Sequence, residues 1–237
     1  MVKRSMINRL IALIYPERCC CCGRPVICGK LICEVCRPKL KFIKPPVCNC
    51  CACMLQHCRC NKRQRHTDRC IAPFYFEGAA KSAIYRLKFK DKVNAAELLC
   101  LAMAHTVRRE YADINFDCIV PVPLSRDTIR KRRYNQSAVL AKGLADLLDI
   151  RYDQILNKQQ TTLPQRELPA YRRSGNVLGV FDVVDGVTKG GSVLLVDDTV
   201  TTGSTLDECA KILKLYGAQA VYAVTATVSR LSNQSLL

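Results

Sequence analysis

VLLVDDTVTTGST, Val193 to Thr205, is the stretch that decides the fold. Four apolar residues run into two adjacent carboxylates, Asp197 and Asp198. A short apolar run of this kind reads as a buried parallel strand. A loop rich in hydroxyls and glycine follows, and a helical pattern starts at about Thr205. Ligands of open α/β sheets bind at the carboxyl ends of the strands. Backbone N–H groups at a helix start, joined by the hydroxyls of Thr201, Thr202, Ser204 and Thr205, make a phosphate cradle. Two carboxylates beside such a cradle need another counterpart. Vicinal sugar hydroxyls, or a magnesium ion that bridges to the ligand, supply one. A phosphorylated ribose satisfies both halves of the arrangement.

Outward from this stretch, strands and helices alternate. IAPFYFEG, from Ile71, reads as a first strand ended by Gly78; AAKSAIYRLKFK and VNAAELLCLAMAHTVRREY carry helical periodicity. FDCIVPVP reads as a strand closed by Pro121 and Pro123, with a helix from about Ser137 to Leu148. A polar stretch, NKQQTTLPQRELPAYRRSGNVLGVF, interrupts the pattern. A strand returns at Ser192, a helix spans about Thr205 to Tyr216, and AQAVYAVTATV reads as a last strand. Alternation of this kind implies an α/β fold, a parallel sheet with helices on both faces and right-handed crossovers.

The N-terminal part has a different texture. Fourteen of the 17 cysteines lie between Cys19 and Cys70; Cys100, Cys118 and Cys209 sit in apolar or helical patterns as small core residues. A secreted disulfide module needs an export signal, and the opening MVKRSMINRLIALIYPER is interrupted by Arg9 and lacks a small-residue cleavage site before Cys19. It reads as a short amphipathic helix over 1–18, with a signal peptide as the alternative. Zinc needs thiolate pairs on tight turns. Cys19 with Cys22 and Cys33 with Cys36 give one site; Cys48, Cys51, Cys60 and either Cys58 or His57 give a second. An iron–sulfur cluster fits this spacing less well. A head of fewer than 60 residues with little apolar content draws its folding energy from metal. The expected units are therefore the helix at 1–18, a zinc-binding domain at 19–70 and an α/β domain at 71–237.

The net charge is +17. Residues 1–70 hold 15 Lys/Arg against 3 Asp/Glu, and the remainder 22 against 17. Eight thiolates on two zinc ions lower the head's surplus of 12 to about 8. A basic head suggests a polyanion partner. The stretch Arg59, Lys62, Arg63, Arg65, His66, Arg69 follows the last knuckle and otherwise reads as a solvated face. Tyr15, Phe42, Phe74, Tyr75, Tyr134 and Tyr171 are the candidate stacking residues, those on strands being expected in the core. No apolar run reaches the length of a membrane span.

Two further segments suit a phosphorylated ligand. PVPLSRDTIRKRRYNQS follows a strand, so that Pro123, Leu124 and Ser125 offer backbone donors, with Arg126, Arg130 and Arg133 close by. The polar stretch carries Arg166, Arg172 and Arg173, which suit a closing loop as well as an ordinary linker.

VLLVDDTVTTGST resembles the PRPP-binding motif of type I phosphoribosyltransferases. The resemblance implies that Asp197 and Asp198 hold the ribose 2′- and 3′-hydroxyls and that Thr199, Val200, Thr201, Thr202, Gly203, Ser204 and Thr205 surround the 5′-phosphate, with magnesium arriving on PRPP. Several members carry an acidic general base in this loop, where Thr201 or Thr202 stands here, so ligand binding is better supported than turnover. Asp197, Asp198 and Thr201 are the candidate catalytic groups. Together with the knuckles from Cys19, RLKFK at Arg86 to Lys90, PVPLSRDTIRKRRYNQS and TLPQREL with YRRSGNVLGVF, the chain resembles the ComF family, also called GntX-like, in which a double zinc ribbon precedes a phosphoribosyltransferase domain. That resemblance implies a cytoplasmic protein of natural transformation that handles incoming single-stranded DNA beside other DNA-uptake or recombination proteins. Lys88 of RLKFK joins the arginines as a contact for nucleic acid or pyrophosphate. An active transferase with an unknown acceptor, and a PRPP-sensing adaptor, are the alternatives.

Overall fold

The computed structural model describes residues 17–58, 60, 65–89, 93–158, 181–183 and 190–230. The expected helix at 1–18 lies outside them but for its last two positions, and so does the stretch with Arg166, Arg172 and Arg173. Residues 17 onward open on the cysteine-rich head. The α/β part then runs β1 (Arg69–Ile71), β2 (Phe74–Tyr75), α1 (Gly78–Phe89), α2 (Val93–Glu110), β3 (Cys118–Pro121), α3 (Arg126–Arg132), α4 (Gln136–Leu148), β4 (Leu156–Lys158), β5 (Phe181–Val183), β6 (Ser192–Val200), α5 (Ser204–Leu215) and β7 (Ala220–Val228).

The main sheet is parallel in the order β1-β7-β6-β3, with β2 also on β7. β4 and β5 form a separate antiparallel pair. Strand β6 is central because both its faces are apolar. Leu194 and Val196 join Ile119, Val224 and Ala226 under α1, α2 and α4, whereas Val193 and Leu195 join Cys118, Val120, Val221 and Ala223 under α5. The alternation is the period-2 rule of a strand buried on both sides. Gly143 of α4 permits the α2–α4 contact, for a Cβ there would lie 2.7 Å from the Cys100 sulfur. Cys100, Cys118 and Cys209 are buried, as expected of core residues.

Two expectations are corrected. The segment from Ile71 is not one strand: Pro73 interrupts it, β1 and β2 lie in line along β7, and Gly78 opens α1. The sheet takes in Arg69 and Cys70 before that segment begins. Strand β6 does not stop at the acidic pair but continues through Thr199 and Val200, paired with Thr227 and Val228. The basic stretch after Pro121 is helical from Arg126, where Ser125 caps it, its hydroxyl accepting from the Thr128 N–H at 3.3 Å.

The head straddles the β1/β2 edge of the sheet. Cys19, Cys21 and Cys36 pack with α1 and α2 on one face; Cys48, Cys51 and Cys53 pack with β7 and α5 on the other. Residues of the head extend the edge: the Ile43 N–H donates to the Pro73 carbonyl and the Tyr75 N–H to the Lys41 carbonyl, both at 2.9 Å. Asp68 ties the exit of the head to the sheet by accepting from Lys214 and from the Val221 N–H.

Tyr111 holds the same edge from beneath. Its hydroxyl lies 2.9 Å from the Arg69 carbonyl and 3.0 Å from that of Ala223, and its ring meets Phe116 and Tyr222 edge-on. Tyr111→Phe is expected to cost about 1 kcal/mol by leaving a buried carbonyl short of a donor. Tyr111→Ala is expected to cost about 3 kcal/mol or more. Urea denaturation of the two variants measures both.

Candidate functional site

Asp197 and Asp198 lie where β6 passes the start of α4. Asn135 builds this junction: its Nδ2 donates to the Val122 carbonyl at 2.9 Å and its Oδ1 accepts from the Ser137 N–H at 3.0 Å. That cap aims Ser137 at the site, where its hydroxyl donates to Asp197 Oδ1 at 2.8 Å. The Asp198 N–H donates to the same oxygen at 2.8 Å. Asp198, buried, pairs through Oδ2 with Lys88 Nζ of α1 at 2.9 Å. Lys88, expected on nucleic acid or pyrophosphate, is thus the partner of the acidic pair here.

The two carboxylates are not equivalent. Desolvation, and then the Asp198 charge, push the Asp197 carboxyl up to about 7; the Ser137 hydroxyl, the Asp198 N–H and Lys88 pull less strongly the other way. With one countercation among the described residues for two carboxylates, the site suits a ligand that brings hydroxyl donors or a further cation.

Beyond Val200 the chain turns through Thr201, Thr202 and Gly203 into α5. Gly203, at φ +78°, occupies the left-handed region that glycine adopts without strain. The side chains of Thr201, Thr202, Ser204 and Thr205 are exposed, and the Thr202 and Ser204 hydroxyls lie 2.9 Å apart. Two of the expected ligands serve the framework instead. The Thr199 hydroxyl is bonded to that of Thr227 at 2.9 Å, and Val200 is buried, its carbonyl accepting from the Ser229 N–H. Pro123 is buried and Leu124 partly so; the Ser125 hydroxyl is spent on its helix cap. Arg126, Arg130 and Arg133 are exposed on or beside α3.

Arg65, which the sequence offered only as part of a basic stretch, lies 137 positions before Thr202 yet donates to its carbonyl from Nη2 at 2.7 Å. A Cβ on Gly203 would collide with the same guanidinium. The His66 and Thr67 N–H groups donate to Asp207 of α5 at 2.6 and 3.2 Å. The end of the head therefore lies along the hydroxyl loop. Nothing local announced this, since Arg65 belongs to a run of charges. Ser137 was more accessible, as the second residue of a helix that Asn135 caps after a buried strand.

The cysteine clusters fit zinc. The sulfurs of Cys19, Cys22, Cys33 and Cys36 lie within 4.8 Å of one another, as do those of Cys48, Cys51, Cys58 and Cys60. Tetrahedral zinc with bonds of about 2.3 Å places sulfurs roughly 3.8 Å apart. The pairs Cys22–Cys33, Cys48–Cys60 and Cys51–Cys58 are at 3.7 Å. His57 is turned away: its Nδ1 lies 3.0 Å from the Tyr75 hydroxyl. Burial opposes ionisation of Cys19 and Cys48. The backbone N–H groups of Cys22, Cys33 and Cys21, and those of Cys51 and Cys50, outweigh it, bringing these thiols to about 6 and about 7. Cys20 and Cys21, outside the clusters, are pushed by burial up to about 11 and about 12 and serve as apolar residues.

Two outcomes follow. Cys58→Ser is expected to lower bound zinc from two equivalents to about one, and His57→Ala to leave it unchanged, by metal analysis of the dialysed proteins. For Asp197 the sign is set by its raised pKa. The folded state prefers the protonated acid, so this contribution to stability is present near pH 4 and lost as pH rises through about 7. Asp197→Asn keeps an oxygen for Ser137 and Asp198. It is expected to be more stable than the parent by up to about 4 kcal/mol at pH 8 and by little at pH 4, measured by urea denaturation.

Comparison with known proteins places the molecule. The phosphoribosyl transferase domain family matches residues 95–234. Competence protein F of Haemophilus influenzae is 31% identical over 215 residues, 85% of this chain and 92% of that protein. The DNA utilization protein YhgH of Escherichia coli K12 is 30% identical over 220 residues, covering 88% of this chain and 96% of its own length. Competence protein ComFC of Bacillus subtilis is 25% identical over 201 residues, 80% of each. Matches of this length take in the cysteine-rich head as well as the sheet, and by them the chain belongs to the ComF family, its α/β part having the type I phosphoribosyltransferase fold.

Proposed function

We propose that this protein acts in DNA uptake, binding single-stranded DNA on the cytoplasmic side, and that it carries a working site for a ribose 5-phosphate ligand of the PRPP type. The observation that carries the second half is the acidic pair set beside an exposed hydroxyl loop, with one carboxylate offset by Lys88 and the other held at about 7 by desolvation and its neighbour. The names of the relatives, competence protein F and DNA utilization protein YhgH, support the first half.

In this reading Asp197 and Asp198 accept from the ribose 2′- and 3′-hydroxyls. The N–H groups from Thr202 to Thr205, with the hydroxyls of Thr201, Thr202, Ser204 and Thr205, take the 5′-phosphate at the start of α5. Magnesium, when bound with the ligand, supplies the charge that a pyrophosphate group needs. The ligand also resolves the cost at Asp197: hydroxyl donors or a cation favour its ionised form, so binding releases a proton near neutral pH. Arg65 fixes the loop through the Thr202 carbonyl and places positive charge beside the phosphate position.

Calorimetric titration with PRPP and magnesium tests the site. Saturable binding is expected, weakened at least tenfold in Asp197→Ala/Asp198→Ala and several-fold in Arg65→Ala. Absence of binding to the parent protein would sink the ribose-phosphate reading. Pyrophosphate release in the same samples tells binding from turnover. A single-stranded oligonucleotide, titrated separately, tests the DNA half: binding should fall steeply as salt rises.

A further inference from the structure

Helix α1 buries Ala79, Ala80, Ala83, Ile84 and Leu87 against the sheet. Its opposite face ought to be polar, yet Tyr85 is 47% exposed and Phe89 63%. They stand one turn apart with rings stacked at 6.1 Å and 24°. Phe76, just before the helix, extends the row, its ring 6.1 Å from that of Tyr85. Cations lie over all three rings. Lys81 Nζ is 5.8 Å from the Phe76 centroid and 5.9 Å from that of Tyr85, and the Arg132 guanidinium is 5.5 Å from Phe89. Two large rings left in water forfeit the gain of burial, which is the mark of a contact surface.

The charge around the rings selects the occupant. Lys81 and Arg132 flank the row in a chain of net charge +17, which favours a polyanion with flat apolar groups. Single-stranded nucleic acid has both, whereas a duplex hides its base faces. The row also leads to the candidate site. Lys88, on the same helix between Tyr85 and Phe89, pairs with Asp198, and Arg132 Nη1 donates at 3.2 Å to Gln136 Oε1, beside Ser137.

We propose that Phe76, Tyr85 and Phe89 form a stacking platform for the bases of single-stranded nucleic acid, with Lys81 and Arg132 meeting its phosphates. This rests on the reading that the protein binds single strands, and it names the surface that does so. None of the three rings was among the aromatic residues the sequence suggested.

The experiment uses the full chain and a labelled oligothymidylate, followed by fluorescence anisotropy over a salt series, with a duplex as control. Tyr85→Ala and Phe89→Ala are each expected to weaken single-strand binding about tenfold, and together about a hundredfold, with the salt slope unchanged. Lys81→Ala should reduce that slope by about one. Both rings are exposed, so an unaltered melting temperature shows that the variants fold. The chain has no tryptophan, so Phe89→Trp installs a unique reporter whose emission the bound strand should quench. Binding by the double variant within twofold of the parent overturns the platform while the single-strand reading stands, and leaves the rings as a protein contact. No single-strand binding by the parent at low salt overturns both.

Discussion

Everything at the site depends on one constraint, the placing of a strand that is apolar on both faces at the centre of a parallel sheet. Strand β6 can bury Val193 to Val196 only with β3 on one side and β7 on the other. Once it lies there, its last residues emerge at the carboxyl edge, where crossovers leave a crevice. The register with β7 carries the strand past Asp197 and Asp198 to Val200, and this holds the carboxylates rigidly, as a loop would not. Rigidity has a cost. Two adjacent carboxylates cannot move apart, and desolvation with mutual repulsion raises Asp197 toward neutrality. A fold selected for stability alone would place an amide or an apolar residue there.

The strands and helices around this centre were legible because their periods are unambiguous. α1, α2, α4, α5, β6 and β7 lie close to where the hydrophobic pattern puts them. The pattern failed where a local choice overrode it. Pro73 divides an apolar run that otherwise reads as one strand, and strand pairing carries β6 two residues past the acidic pair. The acidic pair and the hydroxyl loop were legible as chemistry, but not the division of labour within them. Thr199 looked like a phosphate ligand from its place in the motif; strand pairing beyond the acidic pair instead sets its hydroxyl against Thr227. The choice between Cys58 and His57 needed Tyr75, whose hydroxyl gives the imidazole another partner. Contacts as distant in sequence as Arg65 to Thr202 leave no local trace.

The cysteine-rich head is more than a separate module held by metal. Its two clusters lie on opposite faces of the sheet, and each shares a core with the helices of that face. With zinc on the clusters its folding energy would have two sources, thiolate–metal bonds and the apolar burial against α1, α2 and α5. This also explains how so few apolar residues suffice: Cys19, Cys21, Cys48, Cys51 and Cys53 are themselves buried against the sheet's neighbours.

From that arrangement the head gains a route to the site. The second cluster ends at Cys60, and a few residues later Arg65 meets the Thr202 carbonyl while the His66 and Thr67 amides hold Asp207 of α5. The hydroxyl loop is thus fixed from two directions, by β6 behind it and by the head beside it. Gly203 is required by both, since its left-handed turn starts α5 and its bare Cα makes room for the guanidinium. A change at the second cluster that displaced the 65–68 segment would free the loop without touching the acidic pair. The head and the end of β6 thus converge on one loop, the head setting a cation against it and the sheet setting the carboxylates beside it.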